Sequence, residues 1–91
     1  MKRRHRKDDN EPEIVKALKK VGCKVCKIGR PVDLLVGFRS HNFLLEVKNP
    51  KGRNTLEDSQ KEFIATWPGQ VRVVRSPDEA VRVVTESYKW A

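Results

Sequence analysis

Three charged residues interrupt two apolar stretches near the middle of the chain. Val32–Val36 and Phe43–Val47 are rich in Leu, Val and Phe, yet Asp33, Glu46 and Lys48 lie within or beside them. Side chains alternate between the two faces of a strand, so Glu46 and Lys48 are expected to point the same way. Because burying an uncompensated ion is costly, two carboxylates and an ammonium gathered at one place predict a divalent metal site.

Such a site is suited to the hydrolysis of a phosphodiester. A hard divalent cation binds phosphate oxygens and lowers the pKa of its water, and Mg²⁺ is typically held by one or two carboxylates with several waters retained. Asp33 and Glu46 are the candidate ligands, with the backbone carbonyl of Val47 as a third oxygen. Lys48 is the candidate to orient or deprotonate the water and to stabilise the developing charge. Taken alone, a Glu-x-Lys pair is often only a cross-strand salt bridge.

Composition favours a polyanionic partner. The chain has 91 residues, enough for one domain, and its 20 Lys and Arg against 12 Asp and Glu give a net charge of +8. The alternative is a small basic protein without a nucleic-acid role. No apolar run is long enough for a membrane span and the N-terminus is charged, so a cytoplasmic protein is expected.

A first helix is predicted from Asn10 to Gly22. Asn10 is expected to be its N-cap, Glu13 completes a capping-box pattern, and Gly22 occupies the position of a C′ glycine. Glu11 projects onto the face that must pack on the sheet, whereas Glu13 lies at the edge of that face. Glu11 is therefore the better candidate to reach the metal site, although a first-turn acid is also favoured by the helix dipole alone. The apolar residues at helical spacing are Ile14, Ala17, Leu18 and Val21.

The next segment is predicted to be all strand and turn. Residues 23–28 form a short strand, and a hairpin follows whose turn is placed at 39–42. Cys23 and Cys26 form a lone CxxC pair, which we expect to be packing thiols because a zinc site would need two further ligands.

The remaining elements are two helices and a strand. A second helix is predicted at 56–67 with Thr55 as N-cap, and its apolar stripe contains Gln60. A buried amide needs partners, so Gln60 is expected to reach polar groups at the end of the sheet, for a catalytic or a purely structural reason. Val71–Val74 forms a strand, and Ser76 opens a third helix with a capping box. The resulting α-β-β-β-α-β-α order predicts an α/β fold around a mixed four-stranded sheet.

Two basic segments are candidates for contacts with DNA phosphates. The first is an arm at residues 1–9, ahead of a single domain at 10–91, and the second is a Pro/Gly/Asn loop after Lys48. Either segment could instead be an ordinary solvated tail or connection. The candidate contact residues are Arg3, Arg4, Arg6, Lys51 and Arg53.

The charged residues and their neighbours together match a known pattern. Asp33, Glu46-x-Lys48 and the later Gln60 resemble the PD-(D/E)XK nuclease superfamily, and the segments VDLLVG, LLEVKNP and SQKEF resemble the stand-alone VRR-NUC domains of phages and prophages. The layout is also similar to archaeal Holliday junction resolvases. One departure is that Val32 separates the proline at 31 from Asp33, where family members usually have the proline directly before the acid.

The resemblance implies a restriction-endonuclease-like αβββαβ core and a Mg²⁺- or Mn²⁺-dependent endonuclease. It implies that Asp33 and Glu46 are metal ligands, that Lys48 is catalytic, and that Glu11 and Gln60 complete the site. It further implies a homodimer acting on four-way DNA junctions. A nuclease for flaps or duplex sites, and a non-catalytic DNA-binding module, are the competing hypotheses.

Overall fold

The computed structural model describes residues 10–49, 56 and 58–86. Within that part of the chain the elements are α1 (Glu11–Lys20), β1 (Lys24–Lys27), β2 (Leu34–Phe38), β3 (His41–Val47), α2 (Asp58–Thr66), β4 (Val71–Val74) and α3 (Pro77–Thr85). Their four strands form one sheet in the order β1-β2-β3-β4. The first three strands are antiparallel and β3 pairs with β4 in parallel. The predicted order of elements and the mixed four-stranded sheet are therefore confirmed.

Helix α1 begins without the side-chain cap that the sequence predicts. Asn10 lies at the N-cap position, but its backbone angles are helical and its side chain makes no capping hydrogen bond. Its Nδ2 instead donates to the carbonyl oxygens of Lys48 and Arg75, at 3.1 and 2.8 Å. The expected capping box with Glu13 is wrong because the Asn10 amide joins α1 to the ends of β3 and β4.

The other end of α1 has the predicted glycine stop. Gly22 has a φ of 106°, a conformation that favours glycine. The amide of Gly22 donates to the Lys19 carbonyl at 3.1 Å, and that of Cys23 donates to the Leu18 carbonyl at 3.0 Å. This is the Schellman pattern, which satisfies helix-end carbonyls and turns the chain toward β1.

Strands β2 and β3 form the predicted hairpin with a tighter turn. The expected turn at 39–42 is reduced to Arg39 and Ser40, whose φ values are 50° and 69°. It is shorter because His41 already pairs with Phe38 across the ladder. Two central residues with positive φ match the twist of a two-residue hairpin.

Helix α2 provides the crossover that two parallel strands require. It begins at Asp58, so Leu56 precedes the helix rather than opening it, and the predicted cap at Thr55 lies outside the described residues. None of its described side chains is fully buried. Phe63 is half-buried, while Trp67, just after the helix, is 45% exposed. The predicted apolar stripe is thus only partly covered.

Helix α3 begins with the predicted cap. The Ser76 side chain accepts a hydrogen bond from the Glu79 amide at 3.1 Å, and a proline occupies the first turn. The Glu79 carboxylate accepts from the Arg75 amide at 2.7 Å, one residue before the donor of a standard capping box.

The core lies between one face of the sheet and helices α1 and α3. Alternation along β2 and β3 sends one set of side chains to this face, where they join residues from both helices. Cys23 belongs to the core, but Cys26 is exposed, so the packing role expected of both thiols is correct for Cys23 alone. The largest fully buried side chains are Phe43, Ile14, Leu18, Leu34, Leu45, Val32, Val36, Val47, Val74 and Val84.

No helix in the described part of the chain has both the length and the apolar character needed to cross a membrane.

Candidate metal centre

The hairpin register places Asp33 beside the end of β3. The antiparallel ladder ends with Leu34 paired to Leu45, and Asp33 directly precedes Leu34. Asp33 therefore lies just beyond the start of β2, close enough to Glu46 of β3 for its charge to raise the pKa of Glu46. Asp33 is only 8% exposed, and its Oδ2 accepts a hydrogen bond from the Val47 amide at 2.8 Å. That bond holds the Asp33 carboxylate against the end of β3.

Glu46 is the most buried of the described charged residues, at 3% exposure. Its Oε2 accepts a hydrogen bond from Gln60 Nε2 at 2.7 Å and lies 3.4 Å from Lys48 Nζ. Glu46 and Lys48 therefore share a face of the strand, as predicted. The second carboxylate oxygen, Oε1, is also buried and accepts no hydrogen bond from the described residues. One oxygen of Glu46 is thus held by the protein, and the other is a buried acceptor without a hydrogen-bond donor among the described residues.

Burial makes the Glu46 carboxylate reluctant to ionise. It raises the pKa of Glu46 above its ordinary value, and the negative charge of Asp33 raises it further. The Lys48 ammonium and the Gln60 amide act in the opposite direction, but they do not cancel the effect of burial. A cation between the two carboxylates would offset both the cost of ionising a buried group and the repulsion between the two negative charges, because an opposite charge favours the ionised form.

Burial also distinguishes the two acids of α1. Glu11 is 8% exposed, whereas Glu13 is exposed. Glu11 follows directly after Asn10, whose side chain contacts the Lys48 carbonyl, so Glu11 lies at the same end of the sheet as the acid pair. The burial of Glu11 is consistent with the prediction that it lies on the packed face of α1. Its part in catalysis stays a prediction.

The donor set fits Mg²⁺ or Mn²⁺ better than a metal that needs a full protein cage. In residues 10–49, 56 and 58–86, no three His, Cys, Asp or Glu side chains come close enough together to hold a metal ion. Mg²⁺ does not require such a group, because it is usually bound by one or two carboxylates and retains several waters. Asp33 and Glu46 supply two hard oxygen donors, and the buried Glu46 Oε1 is an acceptor that a cation would satisfy.

Gln60 reaches the end of the sheet, as its place in the α2 stripe predicts. Its amide joins α2 to Glu46 and also lines a pocket of about 460 Å³ between α2 and the β1–β2 connection. Sequence reasoning did not find the other residues of this pocket. Arg30 reads as an ordinary turn residue beside a proline, and Phe63 as core, so no motif separates them from structural positions. The lining residues are Gly29, Arg30, Pro31, Ser59, Gln60 and Phe63.

The structure does not test the predicted role of the Val47 carbonyl or the predicted contacts with DNA. At Val47 the described contact to the acid pair is made by the amide, which binds Asp33, rather than by the carbonyl that the sequence offers as a metal ligand. The candidate DNA contacts lie outside the described residues: Arg3, Arg4, Arg6, Lys51 and Arg53.

Comparisons with models of protein families, with curated proteins and with solved structures return no match for this chain.

Proposed function

We propose that this chain is a Mg²⁺- or Mn²⁺-dependent endodeoxyribonuclease of the PD-(D/E)XK type, resembling the VRR-NUC domains. The observation that supports it is the arrangement at the end of β3. There a nearly buried Glu46 lies within the electrostatic reach of Asp33, with Lys48 Nζ 3.4 Å from its carboxylate. A purely structural strand end has little reason to bury two carboxylates side by side, since the charge of Asp33 adds to the cost of ionising Glu46.

Each residue has a task in phosphodiester hydrolysis. The bound cation would supply charge stabilisation at the phosphate and an acidified water. Asp33 and Glu46 would hold that cation, Asp33 in the position set by the Val47 amide and Glu46 in the position set by Gln60. Lys48 projects its ammonium beside Glu46, where it can orient the attacking water and stabilise charge on a phosphoryl oxygen.

The substrate is proposed to be branched DNA, with four-way junctions first among the candidates. The net charge of +8 suits a polyanion. Resolving a junction takes two symmetric cuts, and one chain supplies one site, so this activity requires a homodimer. We place the activity in the cytoplasm, which is the host's cytoplasm if the chain is viral, and its use in phage recombination rests on the resemblance.

A non-catalytic DNA-binding module is the second candidate, and one observation favours it. Glu46 already has two partners, Gln60 and Lys48, and no third acid joins the pair within the described residues. The same groups could therefore form a structural network that only stabilises the end of the sheet.

Cleavage of a substrate panel separates these functions. The purified chain is incubated with synthetic four-way junctions, flaps and linear duplexes in Mg²⁺, in Mn²⁺ and in EDTA. We expect metal-dependent nicking, placed symmetrically when the substrate is a junction. Nicking of flaps or duplex in preference would reassign the substrate within the same chemistry. No cleavage of any DNA with either metal would contradict the enzyme and favour the module.

A further inference from the structure

The pocket beside Gln60 is joined to both acids of the candidate metal centre. One wall is the β1–β2 connection, where the amides of Ile28 and Gly29 donate to the Asp33 carbonyl at 2.9 and 3.2 Å. The other wall is α2, where Gln60 donates to Glu46 at 2.7 Å. One wall is thus bonded to the backbone of Asp33 and the other to the carboxylate of Glu46, so the pocket lies next to the place where a scissile phosphate would be held.

The chemistry of the walls suits a nucleotide. Arg30 is an exposed cation on the β1–β2 wall, and a guanidinium presents a fork of donors that matches a phosphate. Phe63 lies on the α2 wall, and its ring stacks on Trp67 with centroids 5.1 Å apart and planes 29° apart. Trp67 is 45% exposed, so the pair offers an aromatic surface to solvent beside the pocket. Aromatic faces stack on any base, whatever the sequence.

The size of the pocket limits what can enter. Its volume of about 460 Å³ is within the range of roughly 300 to 1,000 Å³ found for small-ligand pockets. A base inside a duplex is covered by its neighbours on both faces, so it cannot stack on a side chain until it leaves the helix. The occupant that fits both the volume and the aromatic wall is a single unstacked nucleotide.

We propose that this pocket binds one unpaired nucleotide of the DNA strand, with Arg30 on its phosphate and the Phe63–Trp67 pair against its base. The proposal rests on the proposed nuclease function, because it gives that site a way to select strands that are unpaired next to the bond to be cut. It adds Arg30, Phe63 and Trp67 as substrate-positioning residues.

Binding without metal tests the pocket apart from cleavage. The affinity of the full chain for a labelled oligo-dT strand and for a hairpin duplex of equal charge is measured by fluorescence anisotropy in EDTA. We expect Phe63→Leu to weaken binding of the single strand by at least about fivefold, the lower end of the effect of losing one stacked base. Arg30→Gln should weaken it by a similar factor, because charge-assisted hydrogen bonds to the phosphate are lost. Duplex binding should stay within about twofold, because a nucleotide that is paired and stacked does not enter the pocket and so meets neither residue.

Arg82→Gln is the matched control, since it removes an exposed arginine from α3, on the other side of the sheet. It should affect the two DNAs equally. As a second readout, oligo-dT should quench the fluorescence of Trp67 in a chain whose other tryptophan is replaced, Trp90→Phe. Equal losses on both DNAs in Arg30→Gln and Phe63→Leu, or no loss and no quenching, would overturn the proposal.

These outcomes are independent of the proposed activity. A chain that cuts DNA with metal while Arg30→Gln binds the single strand like the wild type has the nuclease function but not this pocket. A chain that cuts nothing but loses single-strand binding in both variants has the pocket without the nuclease function.

Discussion

Glu46 lies where ionising its carboxylate is unfavourable, and that position suits a residue proposed to bind a cation. Burial and the neighbouring Asp33 both raise the pKa of its carboxylate, while Lys48 and Gln60 reduce the effect without removing it. An acid kept partly uncompensated is ready to bind a cation. The same acid should lower the stability of the metal-free protein.

The cost of ionising the buried Glu46 should appear as a dependence of the protein's stability on pH. Because the pKa of Glu46 is higher in the folded than in the unfolded protein, the stabilisation it gives is complete below about pH 4.5 and is lost as the pH rises through the folded pKa. Glu46→Gln removes this titration. Urea unfolding in EDTA from pH 4 to pH 8 should therefore show the wild type losing stability relative to Glu46→Gln as the pH rises. A wild type that gains on the variant over this range would show that the carboxylate is well compensated.

Lys48 is the residue whose loss should separate chemistry from binding. In the proposed nuclease, Lys48→Ala removes an ammonium placed to stabilise charge at the phosphate, so cleavage should fall by about 10²-fold or more. DNA affinity should stay within about threefold, because Lys48 is one of 20 cations that can contribute to binding a polyanion. Lys19→Ala, an exposed lysine of α1, should leave both quantities near the wild-type values. A parallel fall of cleavage and affinity in Lys48→Ala would assign Lys48 to binding alone.

At the scale of the elements, the strands were the easiest part to predict. The limits of β4 agree residue for residue, and the second apolar run of the hairpin lies within β3, whereas β2 begins and ends two residues later than the predicted run Val32–Val36. Apolar residues between turn residues indicate where a strand lies more closely than where it ends. The glycine stop of α1 and the serine cap of α3 were also predicted. Each depends on a local interaction among a few consecutive residues.

Interactions between distant elements were not predictable in this way. Asn10 has the sequence of an N-cap, but its amide binds carbonyls 38 and 65 residues away. Cys23 and Cys26 belong to the same CxxC motif, yet Cys23 is buried and Cys26 is exposed. Residues three apart in an extended chain point to opposite faces, so the two thiols have different surroundings. The start of α2 and the pocket around Arg30 also depend on how α2 packs against the sheet. No pattern within a short stretch of sequence predicts that packing.

The Asn10 contact makes a prediction about stability. Asn10→Ala leaves two carbonyls at the ends of β3 and β4 without their donor, so the free energy of unfolding should fall by about 1–3 kcal/mol. Asn42→Ala, an exposed asparagine of β3, should change it by less than about 0.5 kcal/mol. Urea unfolding at neutral pH measures both variants. Equal effects would show that Asn10 does not hold the two strands.

At the scale of the whole molecule, the net charge of +8 is the property that bears on the proposed DNA partner. Twenty cations against 12 acids favour association with any DNA, so affinity should fall steeply with salt. Selectivity must then come from the shape of the site and not from charge.

The basic arm at 1–9 should carry part of the salt dependence. Replacing Arg3, Arg4 and Arg6 by Gln should reduce the slope of log K against log salt by up to about three units. The matched control replaces three exposed lysines of α1 by Gln: Lys16, Lys19 and Lys20. Anisotropy titrations at several salt concentrations compare the two triple variants. Equal slopes for both would mean that the arm makes no contacts of its own.

The central claim is that Asp33 and Glu46 bind a divalent cation next to the scissile phosphate of the DNA. Its most direct test is an anomalous difference map from crystals of the chain grown with Mn²⁺ and an uncleaved DNA strand. We predict a peak within about 2.5 Å of one carboxylate oxygen from each acid, with Lys48 Nζ on the phosphate side. A map with no peak there, in crystals where the DNA is bound and both side chains are ordered, would contradict the account.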